Sequence, residues 1–406
     1  MTRRGSSRAF ASSPTSRRDL VKRSPLLAIF LIVLVDVFGL TLVIPLLAIY
    51  AEHLGATPLQ ATLLVSTYAL FQLVSGPLLG VLSDRVGRKP LLLVSQLGTL
   101  IGFLLMARAE SLWVLYLARV IDGATAGNIS LAQAYISDNT EAKDRARSFA
   151  LIGIAFGLGF FIGPAITGRL VAYGLNAPIY LAAALSFTSI VCTATLLSSG
   201  KPPQRRERAP RSWRHFTRGE LGALLFQFLC FALAFSSFTA GFALFTERRV
   251  TWSGHPFGPR EIGYVFAYAG LLGMILQGPL FGRIVQRFGE ANIVRIGFVS
   301  MTIGYGGLAF TSSVPVLLVM VTFAAIGNSV LRPALTSLVT QTAGRDEQGA
   351  VLGVTQSITS AAMIVAPALA GFVIGKQQLT AWACIAGGIA AFGVLAQRWH
   401  ASRTPA

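Results

Sequence analysis

The sequence predicts an all-α integral membrane protein, with twelve transmembrane helices in two six-helix bundles, and three observations support this prediction. Of the 406 residues, 53% are hydrophobic and 12% are charged, about half the charged share of a soluble domain. The apolar residues form runs about as long as the 20 residues that a helix needs to cross a bilayer. A Gly-Pro-Leu motif that begins at Gly76 also returns at Gly278, which indicates two related halves.

The predicted spans fall into two sets of six. The first set lies near residues 25–50, 60–82, 90–108, 112–137, 148–173 and 178–198. The second set lies near residues 220–246, 261–284, 292–312, 314–341, 349–375 and 379–398. We number them spans 1 to 12.

The polar segments divide the chain further. We predict a disordered basic tail over 1–24, a first bundle over 25–198, a linker over 199–219, a second bundle over 220–398 and a second tail over 399–406. Gly127-Asn128 in span 4 recurs as Gly327-Asn328 in span 10. This recurrence supports the division into repeats.

The net charge of +18 is a topology signal rather than a nucleic-acid signal. Most Lys and Arg residues lie in the N-terminal tail, the linker and the short loops on the same side. By the positive-inside rule both termini are then cytoplasmic, and inner-leaflet lipids are the expected contact of these residues. The tail resembles both a twin-arginine signal and a transit peptide, but a full span follows it. We expect a multi-pass protein of the cell inner (plasma) membrane.

The residue types do not indicate an enzyme or a bound cofactor. Cys192, Cys230 and Cys384 all fall in predicted spans, without the paired spacing of a disulfide framework. We find no metal-ligand cluster, nucleophile constellation or phosphate loop in the sequence.

The turn after span 2 is the most specific motif, Gly76-Pro-Leu-Leu-Gly80-Val-Leu-Ser-Asp84-Arg85-Val-Gly87-Arg88-Lys89. Gly80 and Gly87 permit close helix approach and a tight reversal. Asp84 is an acceptor that can meet a helix N-terminus, and the cationic residues Arg85 and Arg88 anchor one membrane face. The motif resembles the signature between helices 2 and 3 of the major facilitator superfamily (MFS) of transporters.

The resemblance implies the MFS fold and a gating role for this turn. In the family the acid docks onto the start of helix 11, so Asp84 would do so here, near Gly349, while Arg85 would bridge to Asp138 at the end of span 4. The alternative is a solvated turn that only fixes orientation. In the second copy Gln286 replaces the acid, so the same lock is weaker or absent there.

Span 4 carries two charges that are one turn apart, Arg119 and Asp122. With Gly123, they lie on one polar and small-residue stripe that faces the bundle interior. A charge inside a membrane is usually paired, hydrated or functional. The stripe resembles the MFS helix 4 motif whose arginine is tied to proton transfer, which implies that role for Arg119. The alternative is a structural Arg119–Asp122 pair.

Span 1 carries Asp36, nine residues before Pro45. This arrangement resembles the first-helix motif of proton-coupled drug exporters, and we predict Arg119 as the counter-ion. All four histidines lie outside the spans, so a proton relay would use Asp36 first and Asp122 second. The alternative is a structural acid that pairs with a neighbouring helix.

Span 5 resembles the fifth-helix antiporter signature through Gly159, Gly163, Pro164 and Gly168. Thr167 replaces one glycine of that signature. The alternative is a generic contact between small residues. The resemblance favours efflux over uptake.

Polar residues elsewhere in the spans are candidates for a substrate cavity. They are Gln72, Asn128, Gln227, Asn328, Arg332 and Gln356. Glu247-Arg248-Arg249 ends span 7 and is either a gate at the rim or a solvated helix end.

The resemblance is closest to the twelve-span drug:proton antiporter branch that includes the tetracycline exporters. It implies a monomeric secondary transporter that exchanges protons for drugs or other small amphipathic molecules by alternating access. Span 9 lacks the acid that tetracycline exporters tend to carry, so tetracycline is not the expected substrate. The alternatives are uptake or facilitated transport of a metabolite such as a sugar or organic acid, and a non-transporting membrane receptor on the same scaffold.

Overall fold

The computed structural model describes residues 25–139, 142–197, 219–343 and 347–401. The first half contains α1 (Pro25–His53), α2 (Pro58–Val86), α3 (Arg88–Ala107), α4 (Leu112–Ala124), α5 (Asn128–Asn139), α6 (Ala142–Leu170) and α7 (Ala177–Leu196). The second half contains α8 (Gly219–Arg249), a short hairpin of β1 (Thr251–Trp252) and β2 (His255–Pro256), α9 (Pro259–Ile275), α10 (Phe281–Phe288), α11 (Glu290–Gly307), α12 (Val314–Thr342), α13 (Gln348–Gly375) and α14 (Leu379–Ala401). The predicted tail over 1–24 and nearly all of the linker lie outside the described residues.

The all-α membrane fold is confirmed, and its helices match the twelve predicted spans. Ten helical segments are long and apolar enough to cross a membrane. The other two predicted spans, 4 and 8, are each divided into shorter helices. Span 4 consists of α4 and α5, and span 8 consists of α9, a π-helical turn over Leu276–Leu280 and α10.

The break in span 4 has a local cause in α3. The Ser95 hydroxyl accepts a hydrogen bond from the Gly127 backbone N–H at 2.9 Å and donates one to the Thr125 carbonyl. These backbone groups therefore keep partners where the helix ladder is interrupted. The break in span 8 lies at Gly278-Pro279, where proline removes a backbone donor.

The two halves meet at one end of the molecule. We call it the opposite end, because it lies across the bundle from the turn at residues 84–89, which we call the turn end. Ser66 of α2 donates to the Ile364 carbonyl of α13 at 2.7 Å. A Cβ on Gly263 of α9 would lie 2.7 Å from the Pro164 carbonyl oxygen of α6. Backbone contact this close leaves little space between the halves at that end.

The same helix pairs separate towards the turn end. A Cβ on Gly157 of α6 would have Met274 of α9 as its nearest neighbour, at 3.8 Å. Farther along, a Cβ on Gly80, Gly153 or Gly353 would meet no atom of the described residues within 4 Å. The structure is therefore closed at the opposite end and open at the turn end.

Candidate functional site

Two charged side chains of α4 form a buried ion pair. Arg119 Nη2 lies 3.2 Å from Asp122 Oδ2, and the two residues are 5% and 6% exposed. The Arg119 guanidinium carbon also lies 5.8 Å from the centre of the Tyr68 ring, and Gln72 Nε2 donates to the Tyr68 hydroxyl at 3.0 Å. The sequence-based pairing of Arg119 with Asp122 is confirmed, and Gln72 borders this cluster.

Glycines bring three helices around the ion pair. A Cβ on Gly102 of α3 would lie 3.1 Å from the Asp122 Cβ, and a Cβ on Gly123 would lie 2.5 Å from the Tyr68 carbonyl oxygen. Ser75 of α2 donates to the Gly123 carbonyl at 2.7 Å. These close approaches exclude bulk water from the pair, which strengthens the attraction between its charges.

Asp36 has a different environment from the one predicted. Arg119 is not its counter-ion, because among the described residues the ion pair of Arg119 within 4.0 Å is with Asp122. The reason is geometric, since Asp122 lies one turn away on the same helix. Asp36 Oδ1 is buried with no hydrogen-bond partner in the described part of the chain. Ser189 of α7 lies beside the Asp36 carboxyl group, and Asp122 is close enough to repel a charge on it.

The predicted antiporter signature in α6 lies between α1 and α9. Cβ atoms on Gly159 and Gly163 would overlap Val37 and Thr41 of α1, and the Thr41 hydroxyl donates to the Gly159 carbonyl at 2.9 Å. On the other side, a Cβ on Gly168 would lie 2.8 Å from the Arg260 carbonyl oxygen. Helix α6 therefore joins the helix of Asp36 to the second half.

The turn at residues 84–89 has an ion-pair network centred on Arg88. Arg88 lies 2.6 Å from Asp84 and 2.8 Å from Asp138. The prediction that Arg85 bridges to Asp138 is therefore wrong. Gly87 has a φ of +105°, and the reversal that it permits brings Arg88 to Asp138 at the end of α5, whereas Arg85 is exposed.

Asp84 pairs within its own half in this conformation. Its partner is Arg88, and its side chain is 50% exposed. The halves are apart at this end, so docking of Asp84 onto the start of α13 near Gly349 remains a prediction for another conformation.

A second ion pair, which the sequence did not reveal, joins the halves at the opposite end. Arg248 of α8 donates to Glu52 of α1 at 2.6 Å, and both side chains are mostly buried. The sequence marked Arg248 as a possible rim gate. Its partner could not be found, because nothing in the local pattern around Glu52 indicates a contact 196 residues away.

The polar residues proposed for a cavity fall into two groups. Gln227 is 3% exposed and donates to the Gly393 carbonyl at 3.4 Å, so it packs against α14 rather than lining open space. Asn328 accepts a hydrogen bond from the Tyr305 hydroxyl at 2.8 Å, and Tyr305 stacks on Phe238. Asn128 Oδ1 is buried with no partner among the described residues. These three amides serve the packing of their bundles.

Arg332 and Gln356 have exposed side chains. Arg332 lies five residues, about 7–8 Å of helix rise, before Ser337, which bonds to Glu290 at the turn end. It has no ion pair within 4.0 Å in the described residues. Arg332 and Gln356 are therefore the members of the predicted set best placed to meet a solute. No group of three metal-ligating side chains occurs within the described ranges.

Comparisons with known proteins match this architecture. The family model of the Major Facilitator Superfamily matches residues 29–367 and 257–405. The chain is 32% identical to the tetracycline resistance protein, class C, of Escherichia coli over 86% of this chain and 89% of that protein. It is 27% identical to multidrug resistance protein 2 of Bacillus subtilis (strain 168), over 85% of this chain and 88% of that protein.

A solved structure shares the fold at lower sequence identity. The crystal structure of the peptide transporter POT in complex with sulfate aligns with a TM-score of 0.76 and 16% identity, over 93% of this chain and 94% of that one. The repeated halves, the turn motif, the paired charges of α4 and the family match agree. The chain is a member of the major facilitator superfamily, a multi-pass membrane transporter of small molecules rather than an enzyme.

Proposed function

We propose that the protein is a proton-coupled exporter of drugs or other small amphipathic molecules that works by alternating access. The observation that carries the proposal is the position of α6. This helix holds α1 through Thr41 and Gly159, five residues from Asp36 in the sequence of α1, and it holds α9 through Pro164 and Gly263. A change of charge at Asp36 therefore has a short packed route to the interface between the halves.

The charges of the first half supply the chemistry of coupling. Asp36 lacks a cationic partner within 4.0 Å, whereas Asp122 is neutralised by Arg119. A carboxylate without a counter-ion is the better proton acceptor of the two, because its negative charge is not stabilised by a neighbouring cation. We assign the transported proton to Asp36 and treat the Arg119–Asp122 pair as the charged surface that Asp36 faces.

The orientation follows from the positive charges. With the turn end and both termini in the cytoplasm, the present conformation is open to the cytoplasm and closed to the outside. A monomer in the cell inner membrane would bind substrate from the cytoplasm in this state. Protonation of Asp36 from outside would then return the empty carrier.

The relatives support efflux, and the sequence of α11 argues for a substrate other than tetracycline. The similar proteins confer tetracycline or multidrug resistance, as their names state. Helix α11 carries one acid, Glu290, at its first residue, where it bonds to Ser337 and Gln341. This acid is used in packing at the turn end.

A growth-inhibition panel in a host without its own efflux pumps tests the proposal. Cells that express the protein should tolerate some lipophilic drugs or dyes better than cells that express the Asp36→Asn variant, and a protonophore should remove the difference. Equal tolerance with both forms across the panel, together with equal cellular accumulation of every compound, would contradict export driven by Asp36.

A further inference from the structure

A group of buried polar side chains lies behind Asp36, between α1, α3 and α7. Gln96 of α3 and Ser189 of α7 are both 0% exposed. Gln96 Nε2 donates to Ser189 Oγ at 2.7 Å. These helices are packed within the first bundle, so the group belongs to the interior of that bundle rather than to the interface between the halves.

The packing of α1 on α7 brings this group to the acid. A Cβ on Gly39 of α1 would lie 3.1 Å from Phe103 of α3 and 3.8 Å from the Ala182 carbonyl of α7. Asp36 is one turn before Gly39, on the same face of α1. Because α1 and α7 run in opposite directions, the neighbours of Asp36 on α7 follow Ala182 in sequence, and Ser189 is beside the carboxyl group.

The donors and acceptors of the group leave one arrangement for Ser189. A hydroxyl has one proton and two lone pairs. Ser189 Oγ accepts the Gln96 amide hydrogen, so its own proton is free to be donated. Asp36 carries the buried Oδ1 that lacks a partner among the described residues, and an ionised carboxylate can only accept.

We infer that Ser189, held in place by Gln96, is a positioning residue of the proton site and donates a hydrogen bond to the ionised Asp36 carboxylate. The inference rests on the proposed function, since it explains how Asp36 can ionise without a cation. The proton enters and leaves on Asp36, and no bond of Ser189 is broken. The other ionisable groups that Asp36 faces are Asp122, Arg119 and Tyr68 of α4 and α2.

Removal of either partner should change the pH profile of transport. In Ser189→Ala the ionised carboxylate loses its donor, and in Gln96→Leu the hydroxyl is no longer held. Both variants should move the pH profile of gradient-driven export to higher pH, by about one to two pH units for a hydrogen bond to a charged group. Ser189→Thr keeps the hydroxyl and should restore the original profile.

Ser186→Ala is the matched control. Ser186 is 3% exposed, lies on the same helix and donates to the Gln96 backbone carbonyl at 3.3 Å rather than to its side chain. It should leave the pH profile in place even if it lowers protein yield. The experiment measures proton release on substrate addition in proteoliposomes across pH, with the full chain.

The outcomes separate the inference from the proposed function. An unchanged profile in both Ser189→Ala and Gln96→Leu, or an equal shift in Ser186→Ala, overturns the role of Ser189 while Asp36 remains the proton site. If Asp36→Asn itself retains uphill transport, the proposed function fails and the inference fails with it. If Ser189→Ala does not fold, Gln96→Leu and Ser189→Thr decide the question.

Discussion

The two halves of the transporter share a repeat but differ in how they use charge. The first half buries Asp36, Arg119 and Asp122 within one polar group. In the second half, the corresponding part of α12 carries a single cation, Arg332, which is exposed and lacks an ion pair in the described residues. Duplication therefore preserved the scaffold, whereas the chemistry that can respond to protons is concentrated in one half.

The largest expected difference between the halves is in stability. Arg119→Ala leaves Asp122 as a buried unpaired charge, which costs about 3–5 kcal/mol. Arg332→Ala removes an exposed arginine and should cost less than about 1 kcal/mol. Thermal unfolding in detergent measures both variants.

A double variant sharpens this comparison. Arg119→Ala with Asp122→Ala removes both charges and should recover part of the loss of the single variant, because the two sites are coupled. Equal unfolding temperatures for Arg119→Ala and Arg332→Ala would show that the buried pair has no special structural role.

The next effect concerns contact between the halves at the opposite end. Gly263→Ala would place a Cβ 2.7 Å from the Pro164 carbonyl oxygen. Overpacking of about 1–3 kcal/mol should shift the equilibrium away from the present conformation by about 5- to 150-fold. Distances between spin labels on α6 and α9 measure this shift. Gly282→Ala is the control, since its Cβ would meet no described atom within 4 Å, and equal distance distributions in both variants would contradict tight packing at Gly263.

A smaller effect is expected for the ion pair that joins the halves. Glu52→Gln removes the partner of Arg248 across the interface, and a pair that is partly exposed contributes about 1 kcal/mol or less. The opposite end should open a few-fold more often, which faster labelling of cysteines introduced there would report. The double variant Glu52→Gln, Arg248→Gln should add nothing to the single one, and clear additivity would indicate that the two residues act separately.

The smallest effect compares the two copies of the turn motif. Asp84→Asn should favour the open turn end, if Asp84 docks on α13 when that end closes, and Gln286→Ala should do less because it removes no charge. Labelling of introduced cysteines at the turn end, in a background without Cys192, Cys230 and Cys384, measures both. Equal labelling in the wild type and Asp84→Asn would remove the lock from the account.

The sequence predicted the spans well because apolar length alone identifies them. It also predicted the Arg119–Asp122 pair, since residues one turn apart on a helix are neighbours. The partner of Asp36 was predicted wrongly, because α1 is apolar on all sides and its pattern does not show which face meets α7. The break of span 4 depends on Ser95 of another helix, so the sequence of span 4 by itself could not reveal it.

The central claim is that proton coupling resides in the first half, at Asp36, and gradient-driven transport in proteoliposomes tests it most directly. The measurement compares pH-driven accumulation with substrate exchange at equal pH, for the wild type, Asp36→Asn and, as the second-half control, Arg332→Gln. The account predicts that Asp36→Asn loses accumulation but keeps exchange, whereas Arg332→Gln keeps the dependence of transport on the pH gradient. Accumulation by Asp36→Asn at the wild-type level would contradict the account.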